Sequence, residues 1–354
     1  MDERKAGFIQ GRGREGMISY ELMGISVLWL FLYGYLIVAS IDFGAGFFAF
    51  YARSTKQDHV MNRLISRYLS PVWEITNVFF VFFYIGIVGF FPDTAYYYGS
   101  ALLVPGSIAV ILLAIRGSFY AFENYGSKTN IIYLFLYGAT GLLIPASLSV
   151  ALTVSEGGFI LKEADAVSLD YWALFTNPLS WSIVGLAIVS VLFISSSFLA
   201  FYASRAEDHS ALKLLRTYAL FWSTPTIITA LTAFIFLGQH NERHFQNMMD
   251  LWWLLGLSVA FFMVAMWLLY QGRRYGLAFI CIMLQFFSAF FAYGIGHYPY
   301  ILDPYITIQG GATSPSMGFA LVVAFIGGLC LLIPSLALVF KLFLFDADYV
   351  KGKK

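Results

Sequence analysis

The chain has 354 residues, of which 60% are hydrophobic and 12% charged, and its formal net charge is +1. So apolar a composition excludes a soluble domain with a polar exterior, and so small a net charge gives no reason to expect nucleic acid. The two cysteines, Cys281 and Cys330, both fall inside apolar runs and imply no disulfide framework.

The opening MDERKAGFIQGRGREG lacks the apolar core of a signal peptide, and a second methionine, Met17, stands just before the first hydrophobic run. Met17 is therefore expected to be the true start, with residues 1–16 as an extension. A bilayer core of about 30 Å takes roughly 20 apolar residues as helix. Nine runs meet that length: Leu22–Tyr51, Pro71–Phe91, Ala101–Phe122, Ile131–Val154, Trp181–Ala203, Tyr218–Leu237, Leu251–Tyr270, Tyr275–Ile295 and Met317–Phe345. None alternates with the two-residue period of a membrane barrel, so the expected class is all-α and polytopic.

Lys and Arg crowd the connections after the odd-numbered runs, whereas those after even-numbered runs hold only Lys162 and Arg243. Basic residues stay on the cytoplasmic side, which places the N-terminus outside and the C-terminal KGKK inside, in a cell membrane. The basic residues ahead of Met17 run against this assignment.

FFAFYARSTKQDH at Phe47–His59 recurs as FLAFYASRAEDH at Phe198–His209. Four runs lie within one period, so the echo describes two four-helix units in parallel pseudo-repeat. The expected layout is a first unit over 17–154, an external loop over 155–180, a second unit over 181–296, and an external loop, ninth helix and tail over 297–354. In this register Asp42 falls on Phe193 and Glu74 on Thr224, so the first unit carries acids that the second lacks.

Asp42 is the main candidate for chemistry. Eleven residues separate it from Arg53 at the cytoplasmic edge, about 16 Å of helix, which puts it near the membrane midplane. A charged carboxylate there must be paired, neutral or hydrated, and an acid whose proton affinity is raised by burial suits a proton relay. Ser40, Gly44 and Gly46 beside it let another helix approach closely. A packing role through interhelical hydrogen bonds stays open. Glu74 follows the Ser70–Pro71 cap of the second run, where the helix dipole favours a carboxylate without any function, and an entry-side proton acceptor is the other reading. Arg116 and Glu123 read as edge residues that snorkel or pair with each other.

All five histidines, His59, His209, His240, His244 and His297, fall in connections or at run ends, so none is placed to hold a haem across a bundle. Met263, Met266 and Met283 lie within runs and read as packing. His240 and His244 have i, i+4 spacing but no third ligand nearby in sequence, so no metal site is expected. Phosphate-binding loops, nucleophile elbows and paired cysteines are missing from the sequence.

The motifs together resemble subunit II of the cytochrome bd quinol oxidases. IDFGAGFF is similar to the family's first-helix signature, PVWEIT to its Val-Trp-x-x-Thr, AIRGSFYAFE to its arginine-containing end of helix three, and GIGHYPYILDP to its Phe/Tyr-Pro segment. The resemblance implies a haem-free chain that partners a haem-bearing subunit I with haem b and haem d, in a complex that oxidises quinol and reduces dioxygen to water. This chain would not be catalytic alone. A small single-helix subunit accompanies some members. The resemblance also implies a proton route at Asp42. Three departures bear on that route: Ala39 and Tyr68 stand where many relatives have acids, and Ala121 and Glu123 replace an acidic and a basic residue. Ser40, Tyr68 and Glu74 are further candidates for the route, with Glu74 as a substitute for a lost acid. Two alternatives remain at this point: a secondary transporter with Asp42 as coupling site, and a purely structural subunit.

Overall fold

The computed structural model describes residues 19–55, 77–123, 131–163, 166–339 and 341. Glu74 and Tyr68 lie outside the described residues, as do residues 1–16.

Helix α1, Tyr20–Ser54, opens on Ser19, whose hydroxyl accepts the Leu22 N–H at 3.3 Å. Its 35 residues are long enough to project beyond a bilayer core, at about 1.5 Å per residue. Helix α2, Asn77–Phe90, bends by 118° into α3, Pro92–Ala101, where Pro92 sits in the first turn and cannot continue the ladder from α2. Helices α4, Leu103–Glu123, and α5, Ile131–Ser155, follow.

A small antiparallel hairpin, β1 (Ile160–Glu163) and β2 (Ala166–Leu169), and the short α6, Tyr171–Thr176, then occupy the stretch expected as loop. That stretch is therefore only partly loop. Helix α7, Pro178–Arg205, starts on an Asn177 cap and is the most enclosed span. Helix α8, His209–His240, begins nine residues before the expected run, because the Asp208 carboxylate accepts the Ala211 N–H at 3.0 Å and nucleates the turn.

The chain breaks at Asn241, whose side chain caps α9, Glu242–Asp250. Helix α10, Trp252–Gln271, ends on Gly272 at φ +68°, a left-handed stop that suits glycine. Helix α11, Tyr275–Gly296, the antiparallel pair β3 (Tyr300–Leu302) and β4 (Ile306–Thr307), and α12, Pro315–Val339, complete the described chain.

Among the described residues seven helices are long and apolar enough to cross a membrane, an eighth candidate is the bent pair α2–α3, and Leu103–Ser118 forms a shorter apolar helix. Bulky residues point outward from α8, α10 and α12, including Phe221, Ile228, Trp267, Phe319 and Leu331, as expected of surfaces facing lipid or another subunit.

At the centre α1 crosses α7. A Cβ on Gly44 would lie 2.3 Å from Ser195 Cβ, and the Ser195 hydroxyl donates to the Ile41 carbonyl at 2.9 Å. Lipid offers no hydrophobic drive between helices, so close backbone approach and such hydrogen bonds hold the crossing. On another face Trp29 stacks on Phe290 at 4.3 Å and Tyr33 donates to the Met283 carbonyl at 2.7 Å, joining α1 to α11.

Candidate functional site

Asp42 on α1 is 2% exposed and Arg116 on α4 is 1% exposed, and they meet inside the bundle. Arg116 Nε donates to Asp42 Oδ2 at 3.1 Å and Nη2 to the Asp42 carbonyl at 2.6 Å. Its Nη1 donates to the Tyr137 carbonyl on α5 at 2.8 Å, and the Tyr137 hydroxyl stands 3.4 Å from Asp42 Oδ1. The guanidinium also lies over the rings of Tyr137 and Phe43, at 4.1 Å and 5.2 Å from their centroids. One cation therefore ties three helices.

Small residues make the room. A Cβ on Gly141 would sit 2.3 Å from the Phe43 carbonyl oxygen and 3.3 Å from Arg116 Nη1, and one on Gly46 would sit 2.9 Å from the Tyr137 carbonyl oxygen. Glycine at both places lets the α1 and α5 backbones close over the guanidinium.

This arrangement corrects the sequence reading of Arg116 as an edge residue: it is buried inside the bundle. Helical side chains lean toward the helix N-terminus, so the long arginine stem runs back into the bundle rather than out to the surface. Burying each charge alone would cost several kcal/mol, and the pair survives because each partner's bonds are met by the other and by carbonyls. Ser40 is buried too, but two residues from Asp42 on a helix it faces another side.

A second polar cluster forms at the opposite end of the bundle from Arg53. Glu156 follows the last turn of α5, His244 lies on α9, and His297 closes α11; all three are buried. His244 Nδ1 is 3.1 Å from Glu156 Oε1 and 3.0 Å from Oε2, and 3.3 Å from His297 Nδ1. The Tyr293 hydroxyl donates to Glu156 Oε1, and Asn241 Nδ2 donates to Oε2 at 3.1 Å and to Asp303 Oδ2 at 3.1 Å. Arg243 Nη2 pairs with the same Asp303 oxygen at 2.5 Å.

Burial pushes the Glu156 carboxyl up, but the hydrogen bond and charge of His244, with smaller help from His297 and Tyr293, hold it below its ordinary range. Burial pushes the His297 imidazole down to about 4, against the opposing pull of Glu156. His240 and His244, spaced i, i+4 in the sequence, do not share one helix face. The break at Asn241 sends His240 to the Gly157 carbonyl, 3.0 Å away, and to Asn177, while His244 turns inward.

A bundle of long apolar helices crossed by a buried ion pair defines a multi-pass membrane protein. Residues 20–343 match the family model of cytochrome bd terminal oxidase subunit II, and the chain belongs to that family. It is 32% identical over 341 residues to a Bacillus subtilis (strain 168) protein named as a cytochrome bd menaquinol oxidase subunit II, covering 94% of this chain and 98% of that one. It is also similar to a chain in the structure of bd oxidase from Geobacillus thermodenitrificans, with 58% identity and a TM-score of 0.81 over 92% of this chain and 99% of that one. Membership makes it part of an oxidoreductase complex with a partner subunit, and favours the oxidase reading over the transporter.

Proposed function

We propose that this chain is the haem-free subunit of a quinol-oxidising, dioxygen-reducing complex, bracing a haem-bearing subunit I and admitting protons from the cytoplasm by way of Asp42. The observation that carries the proton reading is the buried network of Asp42, Arg116 and Tyr137, present in the first unit at a position where the second has the fully buried Phe193. Glu74, Tyr68 and Ser40 remain proposed members of the route. The name of the Bacillus subtilis relative supports menaquinol as the electron donor. Haem b and haem d belong to the partner in this reading, with the small single-helix subunit of some family members as a further candidate partner.

The reading includes nine spans, with the N-terminus outside and the C-terminus in the cytoplasm, arranged as units 17–154 and 181–296 plus a ninth helix. The helix contacts support the repeat: α1 packs on α5 as α7 packs on α11, α4 packs on α5 as α10 packs on α11, and the units meet along α1 and α7.

A second reading, a clamp without proton traffic, is favoured by the grip of Arg116 on both the carboxylate and the backbone of Asp42. Asp42→Asn in the whole complex separates the two. Proton conduction requires assembled complex with full haem content and lowered oxygen consumption. A clamp alone requires reduced yield or stability, with normal turnover in whatever assembles; that outcome refutes the proton role.

A further inference from the structure

Three ligand-type atoms converge at the second polar cluster. His244 Nδ1, His297 Nδ1 and Glu156 Oε1 form a triangle with edges of 3.1, 3.3 and 3.8 Å, and among the described residues this is the one group of three such side chains close enough to share an ion. A tetrahedral site with bonds of about 2.0–2.1 Å has ligand–ligand edges of about 3.3–3.4 Å, so this triangle is close to one face of such a tetrahedron.

The hydrogen bonding around the triangle points the same way. His244 Nε2 lies 2.9 Å from the Tyr293 carbonyl, which can only accept, so Nε2 carries a proton and Nδ1 is the nitrogen turned to the cluster. His297 Nδ1 is too far from Glu156 for a hydrogen bond at 3.8 Å. One proton on His244 Nδ1 can point at Glu156 or at His297 Nδ1, not squarely at both. A cation at the centre would serve all three. The carboxylate is steadied from outside by Tyr293 and Asn241, and a ligating histidine that donates its far N–H to a carbonyl is the usual support of a metal site.

We propose that Glu156, His244 and His297 bind a single divalent cation of the zinc type. Two imidazoles and one carboxylate are the donor set such ions favour, with water completing the fourth position. The ion is structural: it joins the end of α5 in the first unit to α9 and the end of α11 in the second. It is independent of the proton route at Asp42.

The test uses the complete complex, purified through a histidine-free tag without chelator, stripped with a chelator and then titrated with zinc chloride. The expected result is one zinc per complex by elemental analysis, with a thermal midpoint that rises by several degrees on zinc addition. Glu156→Gln and His297→Gln should each weaken zinc binding at least about tenfold, and Tyr293→Phe, a positioning change, by about 10–100-fold. If either ligand variant fails to assemble, X-ray absorption at the zinc edge of the unaltered complex decides, with nitrogen and oxygen neighbours at about 2.0–2.1 Å expected. An unaltered complex that takes up no zinc and shows no thermal shift overturns the proposal, as does a ligand variant that binds zinc as tightly as the parent.

Discussion

Arg116 on α4 reaches Asp42 on α1 at 3.1 Å and holds the same residue's carbonyl at 2.6 Å, so the side chain and the backbone of one helix turn share a single guanidinium. Everything proposed for the first unit depends on this contact.

Arg116→Leu strands the Asp42 carboxylate in the bundle. The expected loss is about 3–5 kcal/mol, the range for breaking a buried pair from one side. The double variant Asp42→Leu with Arg116→Leu should recover part of it, because no unpaired charge remains. Thermal unfolding of the detergent-solubilised complex measures both.

Gly141→Ala drives a methyl group to 2.3 Å from the Phe43 carbonyl oxygen, where backbone must move. A cost of about 1–3 kcal/mol is expected from overpacking, with loosening of the Arg116 cradle. Gly256→Ala on α10 meets nothing within 4 Å and should be neutral or slightly stabilising. Comparing the thermal midpoints of the two variants isolates the steric term.

Asn241→Ala removes the cap of α9 together with the donor to Glu156 and Asp303. Losing a cap and one donor to each of two carboxylates should cost about 1–3 kcal/mol. Limited proteolysis is expected to cut near residues 241–250 in the variant before the spans themselves yield.

Seven of the expected spans were legible because lipid demands unbroken apolar helices, and Asp42 was legible because a charge inside such a run has no ordinary reason to be there. Its partner was not. Arg116 lies 74 residues away and near a run end, where sequence alone favours snorkelling, and only the direction in which its stem leans reveals the pairing. The second polar cluster was hidden for the same reason: Glu156 and His244 are 88 residues apart and His244 and His297 are 53 apart. The hint was GIGHYP, where the sequence places His297 just beyond an apolar run. The hairpin after α5 and the early start of α8 come from local capping and turn chemistry that hydropathy does not register.

Proton uptake from the cytoplasmic side, followed with a pH dye during oxygen reduction by the complex in oriented liposomes, tests the role of Asp42 most directly. Asp42→Asn should slow that uptake together with turnover at unchanged haem content, and Asp42→Glu should restore part of both. Uptake at the parent rate in fully assembled Asp42→Asn complex would contradict the account and leave the Asp42–Arg116 pair as a structural tie.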